Sequence, residues 1–367
     1  MKERITVIGI GRLGLCFSLV LEKGNYEVLG LDIIDDYVDS INSKTFNSAE
    51  PNVNEYLAKS TDFRATTDIL KAIEFSDIIF VTLRTESLHS GKYDHSQIEA
   101  LLSGLIEIGY QSQHKNLIIC SNVCPGYSNE IHDRLSSFNY TVSFNPEWIA
   151  QGEILSGQEM PDVVVIGEGS KESGDKIEAI YKNICNNNPP IYRMDRLSAE
   201  ITKIGLNCFL TAKITYANML GEIAIQSGVD PEPILKAIGE DSRINNKYFK
   251  YGFGYGGPCF PRDTRALVYY SNLIGIDPII IKSIIETNKN HLKFQVNQFI
   301  KNNKKSKVVI IDCVTYKKGT IIIEESQQLL FAAEIVKKGY KVIIREDKRV
   351  IDQVKIIYGD IFVYEEI

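Results

Sequence analysis

The chain has 367 residues, 44% hydrophobic and 24% charged, with a formal net charge of -6 at pH 7. That length exceeds one compact core and suits two or three, and the composition is that of an ordinary globular protein. The acidic balance excludes a general nucleic-acid or membrane-surface binder, while leaving room for a basic pocket around one anionic ligand.

In chain order, Met1-Lys2-Glu3-Arg4 leads into an apolar stretch that glycines interrupt at once, which reads as a strand and turn and not as a secretion leader. Ile5–Ile8 is the first buried strand, followed by a glycine turn and a helix to about Glu22. Val28–Asp32, Asp77–Val81, Leu117–Cys120 and Val163–Ile166 are further strands. Their alternation with helices predicts a parallel, doubly wound sheet. From Ser198 to Ser227 no proline occurs, and Ile201, Ile204, Phe209, Ile214, Leu220 and Ile223 recur at helical spacing. Gly228 and Pro231 supply the stop. So long a helix is read as shared between domains or subunits, and the helical pattern continues to about Lys301. After the charged run Lys301–Lys305, strand and helix alternate again through Val308–Ile311, Ser326–Lys338 and Val342–Ile344. No apolar run reaches membrane-spanning length. The seven cysteines (Cys16, Cys120, Cys124, Cys185, Cys208, Cys259, Cys313) are scattered and odd in number. With no second pair or histidine cluster beside Cys120 and Cys124, no metal site is expected, and a reducing cytoplasm is.

Gly9-Ile10-Gly11-Arg12-Leu13-Gly14 matches G-x-G-x-x-G directly after a strand and before a helix. Glycines there permit the tight turn and let backbone amides approach a pyrophosphate, which the positive helix end then faces. Asp32 closes the second strand about twenty residues on, where a carboxylate accepts from a ribose diol. No arginine follows it to receive a 2'-phosphate, so NAD is expected in preference to NADP. The expected architecture is α/β: a Rossmann domain over 1–195, a helical domain over 196–301, and a short Rossmann-like α/β domain over 302–367.

Gly252-Phe253-Gly254-Tyr255-Gly256-Gly257-Pro258-Cys259-Phe260-Pro261-Arg262-Asp263 is read as a loop, because four glycines and two prolines in twelve residues oppose regular structure. Its lone cysteine, taken alone, reads more readily as a buried structural one. Two other places point to chemistry. Lys203 and Asn207 are four apart, hence on one face of the long helix, where an ammonium and an amide can steady an oxyanion. Asn145-Pro146-Glu147-Trp148-Ile149 follows a strand, placing Glu147 at the carboxyl edge of a sheet where ligands bind.

Together these segments resemble the UDP-glucose/GDP-mannose dehydrogenase family over essentially the whole chain. The match runs through the glycine turn with Asp32, N-P-E, A-E-I-T-K-I-G-L-N, G-F-G-Y-G-G-P-C-F-P-R-D-T and a shorter third region. The resemblance implies oxidation of a nucleotide-linked hexose at C6, UDP-glucose being the first expectation, by two hydride transfers to NAD through a thiohemiacetal and a thioester on Cys259. It assigns Lys203 and Asn207 to the oxyanion, Asp263 to orienting water and Glu147 to thioester hydrolysis. Thr85, Asn122 and Arg262 join the glycine turn as cofactor contacts, and Trp148, Ile149, Arg243, Tyr248, Phe253, Gly257 and Lys317 as substrate contacts. The long helix matches a dimerisation element, so a homodimer is expected.

Four positions depart from the family. Gln151 stands for a second glutamate and removes a base, Asn122 stands for a threonine, T-P-T appears as Thr85-Glu86-Ser87, and Glu324 stands for an arginine near the cofactor. Two other readings compete. A two-electron dehydrogenase of the 3-hydroxyacid type would carry the Lys203/Asn207 motif, need no cysteine and yield one NADH. A non-catalytic nucleotide-sugar binder would fit Glu324 and the shortened third region.

Overall fold

A computed structural model describes residues 2–149, 152–304 and 307–367. Contacts divide the chain into two compact units, Met1–Lys203 and Ile204–Ile367.

The first unit alternates strand and helix: β1 (Arg4–Ile8), α1 (Arg12–Lys23), β2 (Glu27–Leu31), α2 (Asp35–Asn42), α3 (Val53–Lys59), β3 (Phe63–Thr66), α4 (Ile69–Phe75), β4 (Ile78–Val81) and α5 (Ser96–Ile108). It continues with β5 (Lys115–Ile119), α6 (Tyr127–Leu135), β6 (Tyr140–Phe144), α7 (Ile154–Glu159), β7 (Val164–Glu168), α8 (Lys171–Ile184), β8 (Ile191–Asp195) and the start of α9 (Arg196–Gln226). The eight strands form one sheet in the order β3-β2-β1-β4-β5-β6-β7-β8. Every residue of β4 and β5 is buried, as in a parallel strand covered on both faces, and β4 is the continuous apolar run such strands show. Two apolar clusters result, one around Phe17, Phe80 and Ile166, the other around Leu102, Leu117 and Phe144.

The second unit contains the rest of α9, then α10 (Pro231–Gly239), α11 (Phe260–Leu273), α12 (Ile279–Asn302), β9 (Val308–Ile311), α13 (Gln327–Lys337), β10 (Lys341–Glu346), α14 (Lys348–Tyr358) and β11 (Val363–Glu366). Its three strands form a parallel sheet in the order β11-β10-β9, over a core of Ile335, Val342, Ile344 and Val354.

Three expectations are corrected. The large sheet is not wholly parallel, since β6 and β7 pair antiparallel at Phe144 and Gly167. The glycine-rich loop ends at Cys259, and Phe260 to Asp263 already form the first turn of α11. Pro261 is tolerated there because the first N–H groups of a helix have no intrahelical partner to lose. The helical pattern toward Lys301 breaks between α10 and α11, where Asn245 and Tyr248 take positive φ.

Candidate active site

At the carboxyl end of β1 the chain turns through Gly9, with φ of 86°, and enters α1 from Gly11, which supplies no side-chain cap. A Cβ on Gly11 would meet nothing within 4 Å, whereas one on Gly14 would lie 2.2 Å from the Gly9 carbonyl oxygen. Gly14 is thus required by packing, and Gly11 leaves the first-turn N–H groups approachable by an anion. Thr82 Oγ1 donates to Gly9 O at 2.6 Å and the Tyr37 hydroxyl to Ile10 O at 2.6 Å, fixing the turn. Arg12 and Leu13 open α1. Asp32 lies one residue beyond β2 and its Oδ1 accepts from Ile33 N–H at 2.9 Å. Thr85 Oγ1 donates to Asn122 O at 2.7 Å, joining the loops after β4 and β5. All these groups follow the carboxyl ends of β1, β2, β4 and β5, around the place where strand order reverses between β1 and β4. The arrangement fits a dinucleotide, with pyrophosphate at the α1 N-terminus and a ribose at Asp32.

Beyond β6, Asn145 donates to Val165 O at 2.9 Å and anchors the segment through Ile149. Glu147 Oε1 accepts from Gln158 Nε2 at 2.9 Å. The Oε2 atom is enclosed and has no partner among the described residues. Glu147 is partly buried as a residue, and desolvation pushes its acid group up from 4.5 to about 7 against the Gln158 hydrogen bond and the Lys203 charge. Lys203 Nζ donates to the Glu147 carbonyl at 2.7 Å and lies 4.8 Å from the centre of the Trp148 ring. Ile149 packs on the core. Gln151 lies outside the described residues.

In the second unit Asn207 Nδ2 donates to Asp263 Oδ2 at 2.6 Å, joining α9 to the first turn of α11, with Asp263 fully buried. Asp263 N–H donates to Cys259 O at 2.9 Å, and Arg262 Nε lies 3.8 Å from Asp263 Oδ1. Cys259 is the N-cap residue of α11, where the helix dipole favours a thiolate. The loop leading to it is bonded by side chains. Asn218 accepts from Gly252 N–H at 3.0 Å, Asn288 accepts from Tyr255 N–H and donates to Tyr255 O at 3.0 Å each, and His291 and Gln295 contact Gly252 O at 2.7 and 2.9 Å. Glu222 holds the other His291 nitrogen at 2.6 Å. At Gly257, with φ of 80°, a Cβ would stand 2.3 Å from the Tyr316 ring, so the backbone packs where no side chain fits.

Burial separates the cysteines. Cys16, Cys120, Cys124, Cys185 and Cys208 are buried, and desolvation raises each thiol, Cys185 to about 11. Cys259 and Cys313 are partly exposed.

Of the expected substrate contacts in this unit, Phe253 packs its ring edge-on to Phe331 and Tyr248 to Phe260. Lys317 sits in a turn whose carbonyl accepts from Thr315 and Thr320 hydroxyls. Arg243 is exposed and paired with Asp241 through two bonds. Sequence reasoning missed Asn218, Asn288, His291 and Gln295. Polar residues spaced i, i+3, i+7 among the apolar positions of α12 were the available signal. It also missed Gln158, on a six-residue helix too short to show a period.

A glycine turn at a doubly wound switch point, with Asp32 one residue beyond β2, defines a dinucleotide-binding protein of the Rossmann class. The sequence matches the NAD binding domain of the UDP-glucose/GDP-mannose dehydrogenase family over residues 3–185 and that family's central domain over 197–290. The chain belongs to this family of nucleotide-sugar dehydrogenases. It is 29% identical to GDP-mannose 6-dehydrogenase of Pseudomonas aeruginosa over 92% of this chain and 80% of that protein. To UDP-glucose 6-dehydrogenase of Rickettsia bellii it is 28% identical, over 91% and 79%. Among solved structures, UDP-glucose dehydrogenase of Pyrobaculum islandicum shares the fold with a TM-score of 0.91 at 24% identity, covering 100% of this chain and 87% of that one. GDP-mannose dehydrogenase of Pseudomonas aeruginosa in a ternary complex aligns with a TM-score of 0.62 at 28% identity, over 96% and 83%. Among the described residues no helix is long and apolar enough to cross a membrane.

Proposed function

We propose that the protein oxidises the C6 alcohol of a nucleotide-bound hexose to the uronic acid, with Cys259 as the covalent nucleophile. The observation that carries this reading is Cys259 at the start of α11, partly exposed, with the buried Asn207–Asp263 pair one helical turn behind it. Bound NAD supplies the hydride acceptor in each of the two oxidations. The Cys259 thiolate adds to the aldehyde carbon left by the first oxidation, the carbonyl π-electrons moving to oxygen to give a thiohemiacetal alkoxide, and loss of hydride from that carbon re-forms the C=O bond and gives the thioester. Water then bonds the acyl carbon, the carbon–sulfur bond breaks with its electron pair returning to sulfur, and the uronate leaves. Lys203 and Asn207 supply the donors that steady the oxyanion, Asp263 orients the water, and Glu147 takes its proton. Arg262 completes the cofactor contacts. Trp148, Ile149, Arg243, Tyr248, Phe253, Gly257 and Lys317 contact the nucleotide-sugar. The three segments 1–195, 196–301 and 302–367 divide cofactor binding, covalent chemistry and nucleotide recognition.

UDP-glucose is the first substrate to offer. GDP-mannose is the second, because a relative with that activity in its name is 29% identical. The deciding assay offers a panel of UDP- and GDP-hexoses with NAD. Two NADH per sugar from one of them supports the reading, while one NADH, with full activity retained in Cys259→Ala, supports the two-electron alternative and overturns it.

The active form is a homodimer in the cytoplasm, built on α9, which leaves Phe209, Tyr216 and Ile223 exposed at seven-residue spacing. Sedimentation as a dimer is expected, and a monomer at micromolar concentration contradicts it.

A further inference from the structure

Glu147 is held by a residue that none of the sequence motifs contains. Gln158 is 4% exposed on α7, and its Nε2 donates at 2.9 Å to Glu147 Oε1 and at 3.4 Å to Leu13 O in the first turn of α1. The helix that carries it is itself fixed. The buried Glu50 carboxylate accepts from Gly152 N–H at 3.0 Å and from Ile154 N–H at 2.8 Å, capping α7 from outside, and Cys185 Sγ donates to Gln158 O at 3.8 Å. The amide therefore arrives at the carboxylate with its position set by backbone contacts on both sides. It engages one carboxylate oxygen and not the other, for Oε2 has no partner among the described residues.

We infer that Gln158 is a positioning residue for Glu147: its amide holds Oε1 beside the cofactor helix and leaves Oε2 as the oxygen that gains and loses a proton. An amide N–H stabilises a carboxylate and does nothing comparable for the neutral acid, so Gln158 also lowers the pH at which Glu147 ionises, against the larger upward push of burial. The other groups coupled to Glu147 are Lys203 from α9, Cys16 from α1, Cys120 after β5 and Tyr181 from α8. Burial pushes Cys16, Cys120 and Tyr181 upward, so they stay neutral while Glu147 titrates. Lys203 is the charged neighbour, and its Nζ is bonded to the backbone carbonyl of Glu147. The side-chain hydrogen bond of Gln158 is therefore the contact whose removal changes the carboxylate most directly.

The consequence for catalysis rests on reading Glu147 as the group that takes the proton of the hydrolytic water. The experiment separates the two claims. Glutamate labelled with 13C at the carboxyl carbon, with the Glu147 signal assigned by its loss in Glu147→Gln, reports the titration directly in the full-length protein. Gln158→Leu should raise the Glu147 midpoint by about one pH unit, a tenfold change in proton affinity. Gln158→Glu, which keeps the shape, should also raise it, because two adjacent carboxyls resist joint ionisation. An unmoved midpoint in both folded variants overturns the inference. Loss of cooperative unfolding in both also overturns it, since it would make Gln158 structural. In a parallel arm the pH profile of uronate release is compared with that of the first hydride transfer. A displaced midpoint with an unchanged release profile leaves Gln158 as the residue that holds Glu147 and removes Glu147 from hydrolysis.

Discussion

In the first unit Glu147 has one enclosed carboxylate oxygen and is hydrogen-bonded through the other. In the second, Cys259 is partly exposed at the end of a loop whose backbone four side chains hold in place. The contrast separates two ways of preparing a reactive group. A base is tuned by how much solvent it loses, which shifts its proton affinity. A nucleophile needs access, so its preparation falls to the surrounding backbone, with the α11 terminus favouring the thiolate while the glycine loop fixes the approach. Desolvation would work against a thiol, as the raised values of the five buried cysteines illustrate.

The largest effect tests the exposed group. Cys259→Ser should lower four-electron turnover by a factor on the order of 10^3 or more, by analogy with other covalent nucleophiles. NAD affinity, measured by fluorescence titration, should stay within about twofold. A variant that keeps two-NADH turnover would show that Cys259 is not the nucleophile.

Next comes the enclosed group. Glu147 is raised in the fold from 4.5 to about 7, so the folded protein retains a proton that the unfolded chain has shed. Its contribution is fully present below the unfolded value and is lost as pH rises through the folded one. Denaturant unfolding should therefore show ~2–3 kcal/mol of stability disappearing across that window. Glu147→Gln, with nothing to ionise, should flatten the dependence. An equally sloped profile in the variant would place the titrating group elsewhere.

Asn207→Ala tests the support behind the cysteine. It leaves the fully buried Asp263 carboxylate without its 2.6 Å donor and should destabilise by ~2 kcal/mol in urea unfolding. Asn207→Asp should cost more, because two carboxylates would then face each other.

The smallest effect is one of order. Under brief iodoacetamide treatment of the native protein, mass mapping should find Cys259 and Cys313 modified before the five buried cysteines, with Cys259 leading Cys313 because it occupies the N-cap position of α11, where the helix dipole favours an anion.

Where each group sits also decided how legible it was. The fold could be read wherever burial left an apolar signal: β4 is wholly apolar, β5 ends on the apolar run Leu117–Ile119, and in the glycine turn Gly9 has positive φ and Gly14 has no room for a side chain. Strands β3, β8 and β11 escaped because Arg64, Arg193 and the glutamates at 365 and 366 interrupt any apolar run at exposed edges. Cys259, Lys203, Asn207 and Glu147 stood out as sequence motifs. The contacts that hold them did not, since Gln158 reaches Glu147 from eleven residues away and Asn288 reaches Tyr255 from 33. Such pairings depend on tertiary placement, which local spacing does not encode. The antiparallel pairing of β6 and β7 was hidden for the same reason: strand direction belongs to the connection and leaves no mark on composition.

The most direct test of the central claim is intact-protein mass spectrometry of the enzyme quenched during turnover with NAD and the active sugar nucleotide, followed by peptide mapping. A covalent adduct of acyl-sugar mass is expected on Cys259, absent in Cys259→Ser and released by hydroxylamine, as a thioester is. Steady turnover to the uronate, with every quenched molecule carrying an unmodified Cys259 even when Glu147→Gln slows release, would contradict it.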